Sequence, residues 1–354
     1  MSERLPPRDD LALMAGYHSP QVDVAVRLNT NEAPEPPPPA FIEALQDELG
    51  RVAFHRYPDR EARELRAAIG ELHGFRGEQV FAANGSNEVL QTLLLTYGGP
   101  GRTVLVFEPT YALHAHIARI TGTPVATAER DEQFRLAPDT AVVAVRRVKP
   151  AITFLCSPNN PTGLLEDAET VAAVIAAAPG LVVVDEAYGQ FAPRSSIGDV
   201  TDDGNLVVVR TFSKTWSMAA ARLGYCVAPA SVVAELEQVV LPYHLDSVKQ
   251  AAGRLALRFE KEMDGRVAAL VEERGRLALA LTDLPVDVWP SGANFILFRP
   301  RARDGADVWQ ALVDRSVLVR NCSAWPRLEG CLRVTVGTPE EDDAFLTALR
   351  EVLA

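Results

Sequence analysis

Short apolar runs that alternate with helical patterns dominate the first two thirds of this 354-residue chain. The runs lie at 79–83, 103–107, 152–156, 181–184 and 206–209. Strands that are apolar on both faces belong inside a parallel sheet, because helices cover both sides of such a sheet. The alternation therefore predicts an α/β fold with a mostly parallel central sheet.

The pattern changes near residue 231. A long helical region, broken near Pro242, runs to about residue 284, and shorter strands and helices follow it to the end of the chain. This change predicts a smaller α+β unit, and the proline run at 36–39 favours an extended arm before the sheet. We divide the chain into an N-terminal arm that joins the small domain, a large domain and a small C-terminal domain, at 1–40, 41–240 and 241–354.

Composition excludes several classes of function. The formal net charge of −12 leaves no basic face for nucleic acid. The longest apolar stretch, 171–184, is broken by Pro179-Gly180 and is too short to span a bilayer. The four cysteines have no metal-site spacing, and the N-terminal residues lack the apolar core of a secretion signal. We expect no metal, no membrane contact, reduced thiols and a cytoplasmic location.

Lys214 ends the run Val208-Val209-Arg210-Thr211-Phe212-Ser213-Lys214, and Arg222 lies eight residues further on. A lysine amine can form a Schiff base with an aldehyde, while a Ser hydroxyl and an Arg guanidinium can hold a phosphate. Among the four lysines, only Lys214 follows a buried-looking strand in such a polar setting. A lone Lys after a strand is more often a solvated charge, so this assignment depends on the other motifs.

Two further loops follow predicted strands, at the sheet edge where ligands of α/β proteins gather. After the first strand, Ser86 can cap a helix, and the backbone N–H groups of Asn87 and Glu88 can bind an anion. After the second, Tyr111 can lay its ring against a flat heteroaromatic ligand. The alternatives are an ordinary helix cap for the first loop and a core or surface position for Tyr111.

The next two strands end in equally unusual residues. Two prolines, two asparagines and a glycine occur in the turn 157–163, more than a plain turn requires. Asp185 directly follows three valines, and a buried carboxylate needs a cation such as a protonated ring nitrogen. At about 4 Å and an effective dielectric of about 20, such a pair gains about 4 kcal/mol, enough to keep a pyridine protonated at neutral pH. The alternative is that Asp185 caps a helix.

The order of these motifs resembles that of the fold type I aminotransferases, which use pyridoxal 5′-phosphate. The resemblance implies that Lys214 binds the cofactor aldehyde, that Asp185 faces the ring nitrogen, and that Tyr188 completes the catalytic set. Asn160 would join Tyr188 in binding the ring hydroxyl. The remaining implied cofactor contacts are Ser86, Asn87, Glu88, Tyr111, Thr211, Ser213, Arg222 and, from a partner subunit, Tyr57.

Within this fold type the chain looks most similar to the histidinol-phosphate aminotransferases. The segments Leu28-Asn29-Thr30-Asn31-Glu32-Ala33-Pro34, Arg56-Tyr57-Pro58-Asp59 and Gly330-Cys331-Leu332-Arg333-Val334 carry this resemblance. It implies a homodimer with shared active sites that moves an amino group between L-histidinol phosphate and 2-oxoglutarate, giving imidazole-acetol phosphate and L-glutamate. The implied substrate contacts are Tyr17, Asn31, Arg320 and Arg333.

Two departures from the family pattern leave neighbouring specificities open. Asn87 stands where relatives often have Asp, and Ser157 stands where many have Asn. An aromatic amino acid aminotransferase and a lyase of the phosphothreonine decarboxylase type would share the same cofactor loops. A cofactor-sensing DNA-binding regulator would need an added basic domain, for which this acidic chain has no room.

Overall fold

The computed structural model describes residues 21–354, together with Leu5 and Leu11. Tyr17, an expected substrate contact, lies outside the described residues. Within 21–354 the strands, numbered along the chain, are β1 Val26–Leu28, β2 Val80–Ala83, β3 Val104–Glu108, β4 Val125–Glu129, β5 Ile152–Cys156, β6 Leu181–Asp185, β7 Leu206–Thr211, β8 Gly224–Val227, β9 Val286–Val288, β10 Phe295–Pro300, β11 Val317–Asn321 and β12 Leu332–Thr335.

The α-helices of the same range are numbered in the same way. They are α1 Pro39–Leu49, α2 Arg63–His73, α3 Ser86–Tyr97, α4 Ala112–Ile120, α5 Pro138–Val148, α6 Ala168–Ala177, α7 Ala230–Val239, α8 Ser247–Ala256, α9 Glu260–Thr282, α10 Gly305–Val313 and α11 Pro339–Leu353. No helix in the described part of the chain is both long and apolar enough to cross a lipid bilayer.

The large sheet has seven strands in the order β2-β8-β7-β6-β5-β3-β4. Its neighbours pair in parallel except around β8, which is antiparallel to both β2 and β7. The predicted α/β fold with a mostly parallel sheet is therefore confirmed. The apolar runs do not predict β4, whose residues are half-buried or exposed because it lies at the edge of the sheet.

Both faces of the large sheet are buried. In β6, Val182 and Val184 belong to one apolar cluster, while Leu181 and Val183 belong to the cluster on the opposite face. Burial of each side chain of this kind contributes roughly 1.5–3 kcal/mol to the free energy of folding. This two-sided burial explains why the strand is a continuous apolar run, and it makes the carboxylate of Asp185 at its end unusual.

The small sheet has five strands in the order β1-β11-β12-β10-β9. Its core includes side chains from α9, α10 and α11. β1 pairs in parallel with β11, so the segment before the proline run contributes a strand to this sheet. The expected domain boundaries themselves stay a prediction.

Strand direction places the functional loops. β2, β3, β5, β6 and β7 all run the same way, because β2 and β7 are both antiparallel to the β8 strand between them. Their carboxyl ends therefore meet at one edge, and β8 begins at that edge, directly after Arg222 and Leu223. The loops that the sequence singled out lie together for this reason.

Candidate active site

A cavity of about 410 Å³ lies at this edge of the large sheet. Loops of the large sheet, the segment after β1 and one residue of β12 form its walls. Twelve of the expected site residues line it: Asn31, Ser86, Asn87, Tyr111, Asn160, Asp185, Tyr188, Thr211, Ser213, Lys214, Arg222 and Arg333.

Lys214 follows β7 of the large sheet and contacts the segment after β1. Its Nζ donates a hydrogen bond to the carbonyl oxygen of Thr30 over 2.9 Å. Burial, followed by the positive charges of Arg333 and Arg222, lowers the pKa of the Lys214 ammonium from 10.5 to about 8. A larger share of this amine is therefore neutral at physiological pH, which is the form that can attack a carbonyl carbon.

Asp185 is held by donors on two sides. Only 1% of the residue is exposed, its Oδ2 lies 2.9 Å from His114 Nε2, and its Oδ1 accepts a hydrogen bond from the Ala187 N–H. No α-helix begins here, so the alternative of a helix cap for Asp185 is wrong. These bonds compensate part of the desolvation of the carboxylate, and they fix the direction in which it can bind a ligand.

The sequence reasoning missed His114, which is fully buried on α4. Its ring stacks on Phe154 with centroids 4.7 Å apart, and it meets the ring of Tyr111 edge-on at 5.3 Å. Its sequence position could have predicted that it lies near the site, because a residue three positions after Tyr111 on a helix lies on the same side as Tyr111.

The hydroxyl group of Tyr188 is hydrogen-bonded to the side-chain amides of two asparagines, and we call these three groups the hydroxyl corner. The Tyr188 oxygen accepts hydrogen bonds from Asn31 Nδ2 at 2.9 Å and from Asn160 Nδ2 at 3.4 Å. Burial is the main cause that raises the pKa of the Tyr188 hydroxyl to about 12, so the phenol keeps its proton at neutral pH. Arg333 donates to Asn160 Oδ1 and to the carbonyl oxygen of Asn29, which ties the small sheet to this corner.

A cup of hydrogen-bond donors forms the other end of the cavity. Arg222 Nη1 donates to Ser213 Oγ over 3.4 Å, and the Ser213 N–H donates to Thr211 Oγ1 over 3.1 Å. Gly85 has φ +81°, and a Cβ atom there would lie 2.8 Å from Arg222 Nη2. Glycine therefore permits both the turn and the close approach of the guanidinium. The beginning of α3 completes the cup with Ser86.

Asn87 and Tyr111 meet across the same cavity. The Tyr111 hydroxyl lies 3.4 Å from Asn87 Oδ1, where it can donate a hydrogen bond. Both residues line the cavity, and the phenol ring of Tyr111 is half-buried. The two loops that follow β2 and β3 are therefore joined at the place where the sequence predicted a flat ligand.

Three expected site residues do not line this cavity. The N–H of Glu88 already donates to Gly85 O, and its carboxylate accepts from Asn84 Nδ2 over 2.7 Å. The guanidinium carbon of Arg320 lies 5.5 Å from the centroid of the Trp325 ring. Tyr57 is 80% exposed and stacks on another tyrosine. Their expected contacts with cofactor or substrate stay predictions.

A second, larger cavity of about 670 Å³ shares Lys214 but extends along α9. Arginines there already have acidic partners: Arg266 pairs with Glu262 and Arg276 pairs with Glu273. It does not contain the donor cup or Asp185. The smaller cavity is therefore the better candidate for the chemistry.

The polar side chains of the smaller cavity match the groups of pyridoxal 5′-phosphate. The cup around Arg222 suits a phosphate, and the carboxylate of Asp185 suits a protonated ring nitrogen. Tyr188 with Asn160 suits a ring hydroxyl, and the Lys214 amine suits the aldehyde. These residues would hold the cofactor.

Comparison with known proteins decides the family. Residues 23–349 match the family of class I and II aminotransferases. The chain belongs to this family. Fold type, enzyme class and the cofactor pyridoxal 5′-phosphate, all expected from the motifs, are therefore confirmed.

Individual relatives agree with the resemblance. A histidinol-phosphate aminotransferase from Thermobifida fusca is 46% identical over 98% of this chain and 95% of its own. One from Corynebacterium diphtheriae is 44% identical over 98% of this chain and 96% of its own. The fold is also that of the histidinol-phosphate aminotransferase from Sinorhizobium meliloti solved with pyridoxal 5′-phosphate, which is 24% identical with a TM-score of 0.85 over 93% of this chain and 91% of that one.

Proposed function

We propose that this aminotransferase transfers the amino group of L-histidinol phosphate to 2-oxoglutarate, giving imidazole-acetol phosphate and L-glutamate, a step of histidine biosynthesis. The observation that carries the proposal is the buried guanidinium of Arg333 in the wall of the cavity. Among the described residues no carboxylate lies within salt-bridge distance of it. The similarity of nearly the whole chain to proteins called histidinol-phosphate aminotransferase supports the same choice.

The hydrogen bonds of Arg333 go to neutral oxygens, and a buried cation without a carboxylate partner favours an anionic ligand, because burial of a charge is costly. Arg320 is the cross-strand partner of Arg333 in β11 and β12, so both side chains leave the same face of the small sheet. Histidinol phosphate and glutamate both carry anionic groups, and a forked guanidinium can bind phosphate and carboxylate alike.

The residues of the cavity have distinct tasks in this reaction. Bound pyridoxal 5′-phosphate supplies an electrophilic aldehyde carbon and a ring that accepts electrons. Lys214, with its lowered pKa, would take the α-proton of the substrate and deliver it to the former aldehyde carbon of the cofactor, as a general acid–base. Asp185, oriented by His114, would keep the ring nitrogen protonated, and Arg222 with Ser213 would anchor the phosphate. Two half-reactions that reuse one site give ping-pong kinetics.

We further propose a cytoplasmic homodimer in which Tyr57 contacts the cofactor phosphate of the second subunit. Tyr57 is 80% exposed and does not line the cavity of its own chain, which supports this arrangement. The cytoplasmic location is supported by four buried cysteines that are all free thiols, as expected in a reducing compartment.

A panel of amino donors tests the proposed function. Purified enzyme with pyridoxal 5′-phosphate and 2-oxoglutarate is supplied with L-histidinol phosphate, L-phenylalanine or O-phospho-L-threonine, and glutamate formation and carbon dioxide release are measured. We expect kcat/KM for histidinol phosphate to exceed that for phenylalanine at least about tenfold, because a charge-assisted contact with the phosphate contributes roughly 1.5–3 kcal/mol.

The variant Arg333→Met should lower kcat/KM for histidinol phosphate about tenfold or more, and kcat/KM for phenylalanine should fall as well, because the guanidinium can bind phosphate and carboxylate alike. Arg315→Met is a matched control, because Arg315 pairs with Glu351 on the surface, away from the cavity. A preference for phenylalanine in the wild-type enzyme would indicate the aromatic aminotransferase. Carbon dioxide release from phosphothreonine without a keto acid would indicate the lyase.

A further inference from the structure

The loop between β11 and β12 of the small sheet contacts the turn that follows β4 of the large sheet. Arg327 in this loop donates hydrogen bonds from Nη1 to the carbonyl oxygen of Arg130 and from Nη2 to that of Asp131, the latter over 2.8 Å. Its guanidinium carbon also lies 5.7 Å from the centroid of the Phe134 ring. The Arg327 side chain therefore joins the small sheet to two consecutive carbonyl groups and an aromatic ring beside the large sheet.

Phe134 makes the same connection in the opposite direction. It is 4% exposed and packs in an apolar cluster with residues of the small sheet and its loop, namely Leu297, Cys322, Leu328 and Cys331. The centroid of its ring lies 5.3 Å from that of Trp289, which lies between β9 and β10. The two loops are thus joined by polar and apolar contacts, and we call Arg327 and Phe134 the loop clasp.

Both residues of the loop clasp have a backbone conformation that side chains rarely adopt. The φ angles are +62° at Phe134 and +63° at Arg327, in the left-handed region. Glycine has no Cβ atom and adopts this region without strain, as Gly330 does in the same loop at φ +71°. Since the backbone alone would favour glycine at either position, the contacts of the two side chains offset the strain. Strained residues of this kind cluster where the surrounding contacts hold them for a function.

The loop of Arg327 leads directly into the strand that carries Arg333. The N–H of Cys322 donates to the carbonyl oxygen of Cys331 over 2.9 Å, which closes the loop just before β12. Arg333 in turn donates to Asn160 Oδ1 in the wall of the cavity. A shift of this loop would therefore move the beginning of β12 and, with it, the guanidinium of Arg333.

The other side of the loop clasp supports the turn that carries Asn160. Arg130, whose carbonyl oxygen Arg327 binds, forms a buried ion pair with Glu166. The N–H of Glu166 donates to Ser157 Oγ over 3.1 Å, and Ser157 begins the turn of Asn160. The loop clasp and the hydrogen bond to Asn160 therefore join the same two parts of the chain.

We infer that Arg327 is a positioning residue, which holds Arg333 in place for the anionic group of the substrate. The inference rests on the proposed function, since it takes Arg333 as the ligand of that group. A forked guanidinium binds a carboxylate through two directed hydrogen bonds, so a small displacement of Arg333 weakens both of them. Arg327 does not line the cavity and acts through Arg333 alone.

Steady-state kinetics with 2-oxoglutarate test this inference, with the keto acid varied at a saturating concentration of the best donor in the panel. Arg327→Met removes both hydrogen bonds to the turn after β4. It should raise KM for 2-oxoglutarate about 3- to 10-fold, the usual effect of a residue that supports a site without contacting the ligand. Both kcat and the dissociation constant of pyridoxal 5′-phosphate should keep their wild-type values, because Arg130 and Glu166 still hold the turn of Asn160.

Three further variants separate positioning from a general loosening of the fold. Arg327→Lys keeps a cationic donor for the carbonyl groups and should recover part of the wild-type KM. In an Arg333→Met background, Arg327→Met should raise KM less than about twofold, because the residue through which it acts is gone. Arg303→Met is the matched control, since Arg303 donates to the carbonyl oxygen of Val352 within the C-terminal part of the chain and does not line the cavity. Its KM should equal that of the wild-type enzyme.

An unchanged KM in Arg327→Met would overturn the inference, as would an equal rise in Arg303→Met. The full rise of KM in the Arg333→Met background would also overturn it, because Arg327 would then act by another route. An equal loss of cofactor affinity in Arg327→Met would show general loosening and count against positioning. None of these results depends on which amino donor the enzyme prefers, so the choice of histidinol phosphate fails or stands separately in the donor panel.

Discussion

The lowered pKa of Lys214 predicts how the reactivity of its amine depends on pH. With a pKa of about 8, roughly a tenth of the amine is neutral at pH 7 and roughly nine tenths at pH 9. Its reactivity should therefore rise about tenfold over this interval and then level off. An amine with the ordinary pKa of 10.5 would gain about 100-fold over the same interval and continue to rise.

Trace labelling of the apoenzyme with acetic anhydride measures this directly. The acetylated fraction of the peptide that contains Lys214 is quantified by mass spectrometry at each pH, and the exposed Lys149 serves as an internal reference for the reagent. Arg333→Met should move the midpoint upward, because a nearby cation that lowers the pKa of Lys214 is removed. Arg315→Met should leave the midpoint where it is. A Lys214 profile that climbs without a plateau up to pH 10 would refute this account of the site.

Three further predictions follow from the same contacts. His114→Leu leaves the buried carboxylate of Asp185 with one donor fewer, so the free energy of unfolding of the apoenzyme in urea should fall by about 1.5–3 kcal/mol; an unchanged value would show that the imidazole contributes nothing to the carboxylate. Glu88→Ala should raise the dissociation constant of pyridoxal 5′-phosphate severalfold in a titration, because Asn84, in the turn that precedes Ser86, loses the carboxylate that accepts its hydrogen bonds. Unaltered affinity would refute the idea that Glu88 stabilises this turn. Between pH 8 and 10.5 the unfolded chain binds more protons at Lys214 than the folded chain, so the stability of the apoenzyme should rise with pH there; thermal unfolding of Lys214→Met should show a smaller rise, and identical slopes would contradict the prediction.

The sequence predicts the central strands well because their burial is two-sided. β5, β6 and β7 are completely buried, and such strands leave no room for polar residues except at their ends. β8 and β4 are not predicted from the same pattern. β8 begins with a glycine that approaches the backbone of Ser86, and β4 is an edge strand with exposed residues. Both strands depend on contacts that only the assembled sheet provides.

The same distinction applies to the site. Asp185 ends β6 and Lys214 follows the neighbouring strand β7, which runs the same way, so their proximity can be predicted from the order of motifs. The contact of His114 with Asp185 depends on how α4 packs, and the bond from Lys214 to Thr30 joins residues 184 positions apart. No local sequence pattern indicates these two long-range contacts. The N–H of Glu88, which we expected to bind an anion, instead donates a hydrogen bond to the carbonyl oxygen of Gly85 within the same turn.

The central claim is that the amine of Lys214 binds the cofactor, and reduction with borohydride tests it most directly. Purified protein is incubated with pyridoxal 5′-phosphate, reduced, digested and mapped by mass spectrometry. We expect the pyridoxyl group on the peptide that contains Lys214. In Lys214→Met we expect no pyridoxyl group on the corresponding peptide. A label found only at Lys149, Lys249 or Lys261, or no label at all, would contradict the account.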